Sequence, residues 1–209
     1  AFTDLEDQAR AKSLSLSVNI KGNVKKFISK ISSKIPDRYN QIIFSSTGFS
    51  FRNQLKLQIL LGQIPSLGYP NITSPITPIE IDLRKNIKLP KGNNKFEEML
   101  SDLMIEQFPT NFLEGYSEMR KKSLKEFPKK PKVIFTSHDY SHNEGFKFWA
   151  ATKIEKGAKL VIAQHGGGYG IGGPLVTEKH EMQICDKYFT WGWKSKEETK
   201  IVPTAVPKL

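Results

Sequence analysis

Apolar residues between Asn143 and Lys156 recur at the three- and four-residue spacing of a helix with one buried face: Phe146, Trp149, Ala150 and Ile154, with Gly157 as a natural stop. Short β-rich runs flank it, Val133 to Thr136 before and Lys159 to Ala163 after. A connection of this length between two strands can only be a crossover, so the pair is predicted to be parallel and right-handed. Tyr188 to Thr190 continues the alternation as a third strand. Upstream, Gln41 to Phe44 reads as a strand that ends in the turn Ser45-Ser46-Thr47-Gly48, separated by Pro36 from a helix over Leu14 to Ile35. Leu55, Ile59 and Leu60 mark a helix that stops near Gly62 and Pro65. Pro65, Pro70, Pro75 and Pro78 then forbid regular structure, which predicts a long surface connection. Two further helices are predicted on either side of Pro109. Asn94 to Phe108 carries Phe96, Met99, Leu100 and Leu103 on one face, and Thr110 to Phe127 carries Phe112, Leu113, Tyr116 and Met119. The architecture these elements imply is α/β, a Rossmann-like parallel sheet with helices on both faces.

Composition narrows the class. The 209 residues, 38% hydrophobic and 25% charged, suffice for a real core and argue against disorder. No stretch of about 18 uncharged apolar residues could span a bilayer. The one cysteine, Cys185, rules out an internal disulfide or a thiolate metal cluster, so nothing requires an oxidising compartment and a cytoplasmic location is expected. The chain starts at Ala1 without a secretory leader, and a fragment of a longer protein is expected. The net charge of +11 suits nucleic acid, an anionic membrane face or phosphorylated substrates. The lysines are scattered, and the densest group (Lys121, Lys122, Lys125, Lys129, Lys130, Lys132) reads as a solvated helix face. No nucleic-acid module is present, so no nucleic-acid partner is expected, whereas peripheral contact with an anionic inner-membrane surface is.

Open parallel sheets bind ligands beyond the carboxyl ends of their strands, and polar residues gather there. The first of the three later strands runs into Ser137-His138-Asp139-Tyr140-Ser141-His142-Asn143-Glu144, the second into Gln164-His165-Gly166-Gly167-Gly168-Tyr169-Gly170, and the third into Trp191-Gly192-Trp193. Strands about 4.8 Å apart bring the first two tips within reach of one ligand. A histidine at such a tip can deprotonate a hydroxyl or meet a phosphate as a cation. Gly166, Gly167 and Gly168 leave backbone N–H groups free to face an anion. Asn143 also suits a helix N-cap with Glu144 in the first turn, the glycines also suit a plain turn, and the tryptophans also suit packing.

Other motif readings fail on context. Gly168 to Gly173 matches a dinucleotide fingerprint, yet the next strand ends in Thr190-Trp191 where an acidic residue should meet the ribose. His165-Gly166-Gly167-Gly168 matches the oxyanion loop of an α/β-hydrolase, but no Gly-x-Ser-x-Gly elbow follows. His138 and His142 sit four apart without the helix and glutamate of a metalloprotease pair, so no metal is expected.

Three strings in order carry a family resemblance: Asn143-Glu144-Gly145-Phe146-Lys147-Phe148-Trp149-Ala150, Gln164-His165-Gly166-Gly167-Gly168-Tyr169-Gly170 and Asp186-Lys187-Tyr188-Phe189-Thr190-Trp191-Gly192-Trp193. With Phe112-Leu113-Glu114-Gly115-Tyr116 and Pro131 to Ser137, they resemble the transferases encoded in O-antigen and other surface-polysaccharide loci, from near Leu103 to Leu209. That family is similar to GT-B glycosyltransferases, including bacterial Kdo transferases and the CDP-glycerol glycerophosphotransferases of teichoic acid synthesis, whose two Rossmann-like domains enclose a cleft. The resemblance implies one half of such an architecture. Residues 1–90 would form a helical, loop-rich N-terminal part, 91–202 a Rossmann-like acceptor-side domain, and 203–209 the start of a crossing segment to a second domain, leaving the isolated chain incomplete and inactive.

It implies an enzyme that moves a sugar, or a glycerophosphate-like unit, from a nucleotide-activated donor to a glycan or lipid-linked glycan acceptor, with no tightly bound cofactor. By analogy His165 is the candidate base, and Glu144 or Asp139 the carboxylate that orients it or acts as acid, base or nucleophile. Gly166, Gly167 and Gly168 would supply backbone donors, Gln164 and Asn143 would orient hydroxyls, and Ser137, His138, Tyr169 and Trp191 would complete the donor and substrate site. Two opposing readings are a non-catalytic module or degenerate remnant that binds an anionic glycan or nucleotide, and a hydrolase fragment.

Overall fold

Strand β1 (Ile42–Ser45) begins a five-stranded sheet in the computed structural model, which describes residues 35–206 except 67, 70, 71, 75, 91, 173 and 174. Apart from its last residue, the helix expected over 14–35 lies outside the described residues. Strands β2 (Val133–Thr136), β3 (Lys159–Ala163), β4 (Lys187–Thr190) and β5 (Ile201–Pro203) follow in spatial order β1-β2-β3-β4-β5, every neighbouring pair parallel. The register aligns Ser45 with Thr136, Thr136 with Ile162, and Ala163 with Phe189, so the strand tips share one edge. Strand β5 was not foreseen. Only three residues long, it gives too short an apolar run to read, and it places Pro203 beside Thr190 within the sheet.

Alternation along each strand divides the core between two faces. Ile43, Ile134, Leu160, Ile162 and Tyr188 face the larger core, under α4 (Tyr116–Glu126), α6 (Glu144–Ile154) and α7 (Val176–Ile184). Phe44, Phe135 and Ala163 face the smaller one, against Phe49 and Leu57 of the segment that contains α1 (Phe51–Leu60). Helices therefore lie on both faces of a parallel sheet, and the chain is α/β as its periodicity predicts. Asn143 caps α6 by accepting from the Phe146 N–H at 3.1 Å, and Gly157 ends that region at φ 96°. Within α6, a Cβ on Gly145 would come within 2.6 Å of Ile72, so glycine there is a packing requirement.

The proline-rich connection has no helix or strand among its described residues, but it does not run over the surface alone. Tyr69 and Ile72 are buried in the larger core, with Tyr69 stacked 5.6 Å from Phe127. Gln58 anchors it, accepting from the Ser66 N–H at 2.8 Å and donating to the Ser66 carbonyl at 3.2 Å. Buried loop backbone is tolerated because a side-chain amide pairs it.

Helix α3 (Lys95–Gln107) forms where its apolar spacing predicts. Its apolar face has formed but is not covered: Phe96 is 66% exposed and Met99 54% among the described residues. Periodicity reports amphipathicity and not the partner. The helix expected next divides into a 3-10 turn at Thr110–Phe112 and α4, because Glu114 between them is drawn to Arg84 of α2 (Ile81–Lys85). The guanidinium donates to both Glu114 oxygens at 2.6 and 3.0 Å, and to the carbonyls of Ile105, Glu106 and Phe108 that end α3.

The Arg84 hydrogen bonds hold the Glu114 carboxyl down at about 2, against an ordinary 4.5. A carboxylate with a depressed folded value stabilises fully above its unfolded value and loses that contribution as pH falls through the folded one. Urea midpoints of the chain should fall as pH drops from about 4.5 towards 2, and Glu114→Gln should remove that part of the slope. An unchanged slope would refute the assignment.

Candidate active site

Each parallel strand delivers its next residues to the same rim. After β1 the chain turns through Ser46 at φ 51° and Gly48 at φ 72°. Beyond β2, Ser137 is 2% exposed, its N–H donating to the Ser46 carbonyl at 3.0 Å and its hydroxyl to the Thr47 carbonyl at 3.1 Å. Those bonds tie the first two strand tips together. His138 follows, just before the short helix α5 (Asp139–His142).

Gln164 and His165 follow β3. Gln164, 2% exposed, donates to the Gly166 carbonyl at 2.7 Å and accepts from the Trp191 N–H at 2.9 Å and the Trp193 indole N–H at 2.8 Å. Its polar atoms thereby fasten the glycine loop to the tip of β4. Between these tips lies a cavity of about 120 Å³, lined by Thr47, Gly48, Ser137, His138, Gln164, His165 and Trp191. Larger grooves of about 770 and 620 Å³ beside α2 and α3 lack histidines and lie away from the strand tips.

Two imidazoles dominate the small cavity. The rings of His138 and His165 lie 4.2 Å apart, centre to centre. Burial, and next the neighbouring His165, lower the pKa of His138 from its ordinary value. Behind His165 sits Glu181 of α7, its side chain fully buried and Oε1 3.5 Å from the His165 Nδ1. Tyr140 and Tyr169 donate to Oε1, the latter at 3.1 Å, and Tyr188 donates to Oε2 at 2.7 Å. The Tyr169 hydroxyl also lies 2.9 Å from the His165 Nε2. Burial first, and the Glu181 carboxylate with it, push the Tyr169 phenol up to about 12 and raise those of Tyr140 and Tyr188 as well, so all three remain donors at neutral pH.

Asp139, Asn143 and His142 line a neighbouring cavity of about 350 Å³ that shares Thr47 and Gly48 with the first. Asp139 accepts from the Ser45 hydroxyl. Glu144 pairs with Lys147 at 2.7 Å and leaves Oε2 buried without a hydrogen-bond partner among the described residues. The carboxylate at ion-pair distance from His165 is therefore Glu181, not Asp139 or Glu144. Sequence reasoning passed over it. The signal was present: Glu181 stands four residues before buried Cys185 and next to the part-buried Met182, on the inward face of α7.

The glycine loop is open at its centre. Gly167 is exposed, makes no hydrogen bond among the described residues, and has nothing within 4 Å of a Cβ built on it. Gly168 is also exposed and Gly166 half-buried, whereas Tyr169 is buried. Gly170 is different, with φ 72° and a built Cβ 2.7 Å from the Trp193 ring. Gly170→Ala should therefore cost about 1–3 kcal/mol and displace Trp193 from Gln164, seen as a lower urea midpoint and altered tryptophan fluorescence. Unaltered emission and midpoint would contradict this packing.

Trp191 lines the cavity with its indole N–H buried and, among the described residues, unpaired. Among the described residues no group of three or more His, Cys, Asp or Glu side chains could hold a metal ion, and no helix is long and apolar enough to cross a membrane.

Neither a curated protein nor a solved structure matches the chain. One family model does, described as LIC12162 family transferase, and it spans residues 2–209. With nearly the whole length matched, the chain belongs to the LIC12162 family of transferases.

Proposed function

We propose that this transferase chain acts in O-antigen or capsule-type surface-polysaccharide synthesis, moving a sugar or glycerophosphate-like unit from a nucleotide-activated donor to a glycan or lipid-linked glycan acceptor. The observation that carries the reading is the position of His165: just beyond the end of β3, in one cavity with His138, two residues before the open backbone of Gly167. The motifs that resemble surface-polysaccharide transferases contribute this rim, and the resemblance to Kdo transferases and glycerophosphotransferases rests on the same strings.

The transfer would proceed as follows. The acceptor hydroxyl loses its proton to an imidazole, its oxygen bonds to the reacting centre of the donor, and the bond to the leaving phosphate breaks with its electron pair. His165 serves as that base or as the cation facing the phosphate. Gly166 and Gly167 would offer N–H groups to the developing charge. Asp139 and Asn143, in the adjoining cavity, would hold acceptor hydroxyls, and Trp191 would border the donor. The donor is a substrate and not a resident cofactor. The second Rossmann-like domain of a GT-B enzyme and peripheral contact with an anionic inner-membrane face belong to this proposal too.

The test is transfer from a nucleotide-activated donor by the natural protein with His165→Ala. Loss of turnover supports the reading. A module that only binds glycan would show no turnover to lose, and a hydrolase would release the unit to water without extending the acceptor.

A further inference from the structure

Among the described residues, Glu181 is the carboxylate buried against the larger core whose role the transfer chemistry leaves unused. Its side chain is fully buried, and among the described residues the sole cationic partner within 4 Å is His165. Ionised carboxylates are not left in a core without compensation. Three phenol hydroxyls, from Tyr140 on α5, Tyr169 in the glycine loop and Tyr188 on β4, solvate it in place of water. They supply donors but no charge. The group placed to bring a positive charge to it is the imidazole, 3.5 Å away and reached a second time through the Tyr169 hydroxyl.

The two rings in the cavity are unequally placed for this. At 4.2 Å between centres, His138 and His165 repel if both are charged, so the pair favours a single proton. Of the two rings only His165 is at ion-pair distance from Glu181, whose charge reaches His138 as a lesser attraction, outweighed there by burial and by His165 itself. His138 faces Asp139 and His142 on α5, but Asp139 is engaged by the Ser45 hydroxyl. The other charged or titratable groups near the cluster are Glu178, which accepts from the Gly170 N–H, and His180, whose ring lies 6.3 Å from that of Tyr140.

We propose that Glu181 is the positioning residue of this site: directly and through Tyr169 it keeps the single proton of the His138–His165 pair on His165, so that His165 meets a phosphate as a cation and His138 is the neutral proton acceptor. The inference rests on the His165 cavity being the transfer site and divides its labour. The acceptor hydroxyl gives its proton to His138, the new bond forms to the donor, and the electron pair that leaves with the nucleotide phosphate is met by the imidazolium of His165. The lowered pKa of His138, from burial and from His165, agrees with this division.

The ring nitrogens report the arrangement without any turnover. In the chain labelled with ¹⁵N-histidine, near pH 6.5 where an ordinary imidazole is about half charged, the nitrogen shifts should show His165 more protonated than His138. Glu181→Gln, which keeps the shape and removes the charge, should cut the charged-to-neutral ratio at His165 about tenfold. Should that variant fail to fold, Tyr169→Phe removes the hydroxyl that bridges Glu181 and His165 while leaving the carboxylate in place, and should move His165 the same way by less. A wild-type chain with the charge on His138, or a His165 signal indifferent to a folded Glu181→Gln, overturns the proposal. Either result leaves the transfer reading standing, whereas undiminished transfer by His165→Ala would remove that reading and leave the ring signals as they are.

Discussion

Replacing Trp149 with alanine should lower the stability of the chain by about 3–5 kcal/mol, the cost of emptying a fully packed indole site. Trp149 is 0% exposed. Its ring stacks on Phe127 at 5.0 Å, tilts against Phe146 at 5.6 Å, and donates its N–H to the Pro128 carbonyl at 2.8 Å. Three losses therefore coincide: apolar burial, ring contacts, and a partner for a buried carbonyl. Phenylalanine restores most of the first two and not the third, so Trp149→Phe should recover more than half of the loss. Urea midpoints of the three proteins decide it, and a Trp149→Ala deficit below about 1 kcal/mol would show that α6 is not pinned to the turn after α4 as described.

Why this much of the fold is legible follows from local signals. The β2-α6-β3 unit is written twice over, in period-3.6 spacing from Phe146 to Ile154 and in apolar runs buried on both faces, and both survive into the structure within a residue or two. Strand β5 is not, because three residues whose pairing comes from β4 carry no periodic signal. Helix α3 shows the converse: Phe96 and Met99 form the foreseen stripe, but nothing in a stripe says what covers it. The connection after Pro65 enters the core because Gln58, Asn40 and Tyr69 pair with distant atoms, and contacts across 8 to 29 residues leave no mark in local pattern.

The site divides along the same line. His138, His165 and the glycines stand directly after strands, so topology alone brings them together. Glu181 reaches His165 from α7 directly and through Tyr169, held by three tyrosine hydroxyls, a convergence that depends on side-chain packing. Ser137 and Gln164 are at the expected rim, but their polar atoms bond the neighbouring backbone and indoles and so hold the loops that frame the cavity.

The largest effect on chemistry is expected at His165. Its ring is one of two imidazoles in the cavity, its side chain retains 24% exposure, and no other imidazole among the described residues stands at once at ion-pair distance from buried Glu181 and beside the glycine loop. Whether the imidazole takes a proton or faces phosphate as a cation, its removal deletes a contribution of about 10²–10⁴ in rate. The ring lies at a solvent-reached rim and Tyr169 keeps its bond to Glu181, but the buried carboxylate loses its cationic partner, so the comparison is made on a variant shown to be folded. The decisive measurement is the rate at which the natural protein passes its unit from a nucleotide-activated donor to acceptor, wild type against a folded His165→Ala. A fall of at least about a hundredfold is predicted, and a variant within about threefold of wild type would contradict the assignment of this rim as the place of transfer.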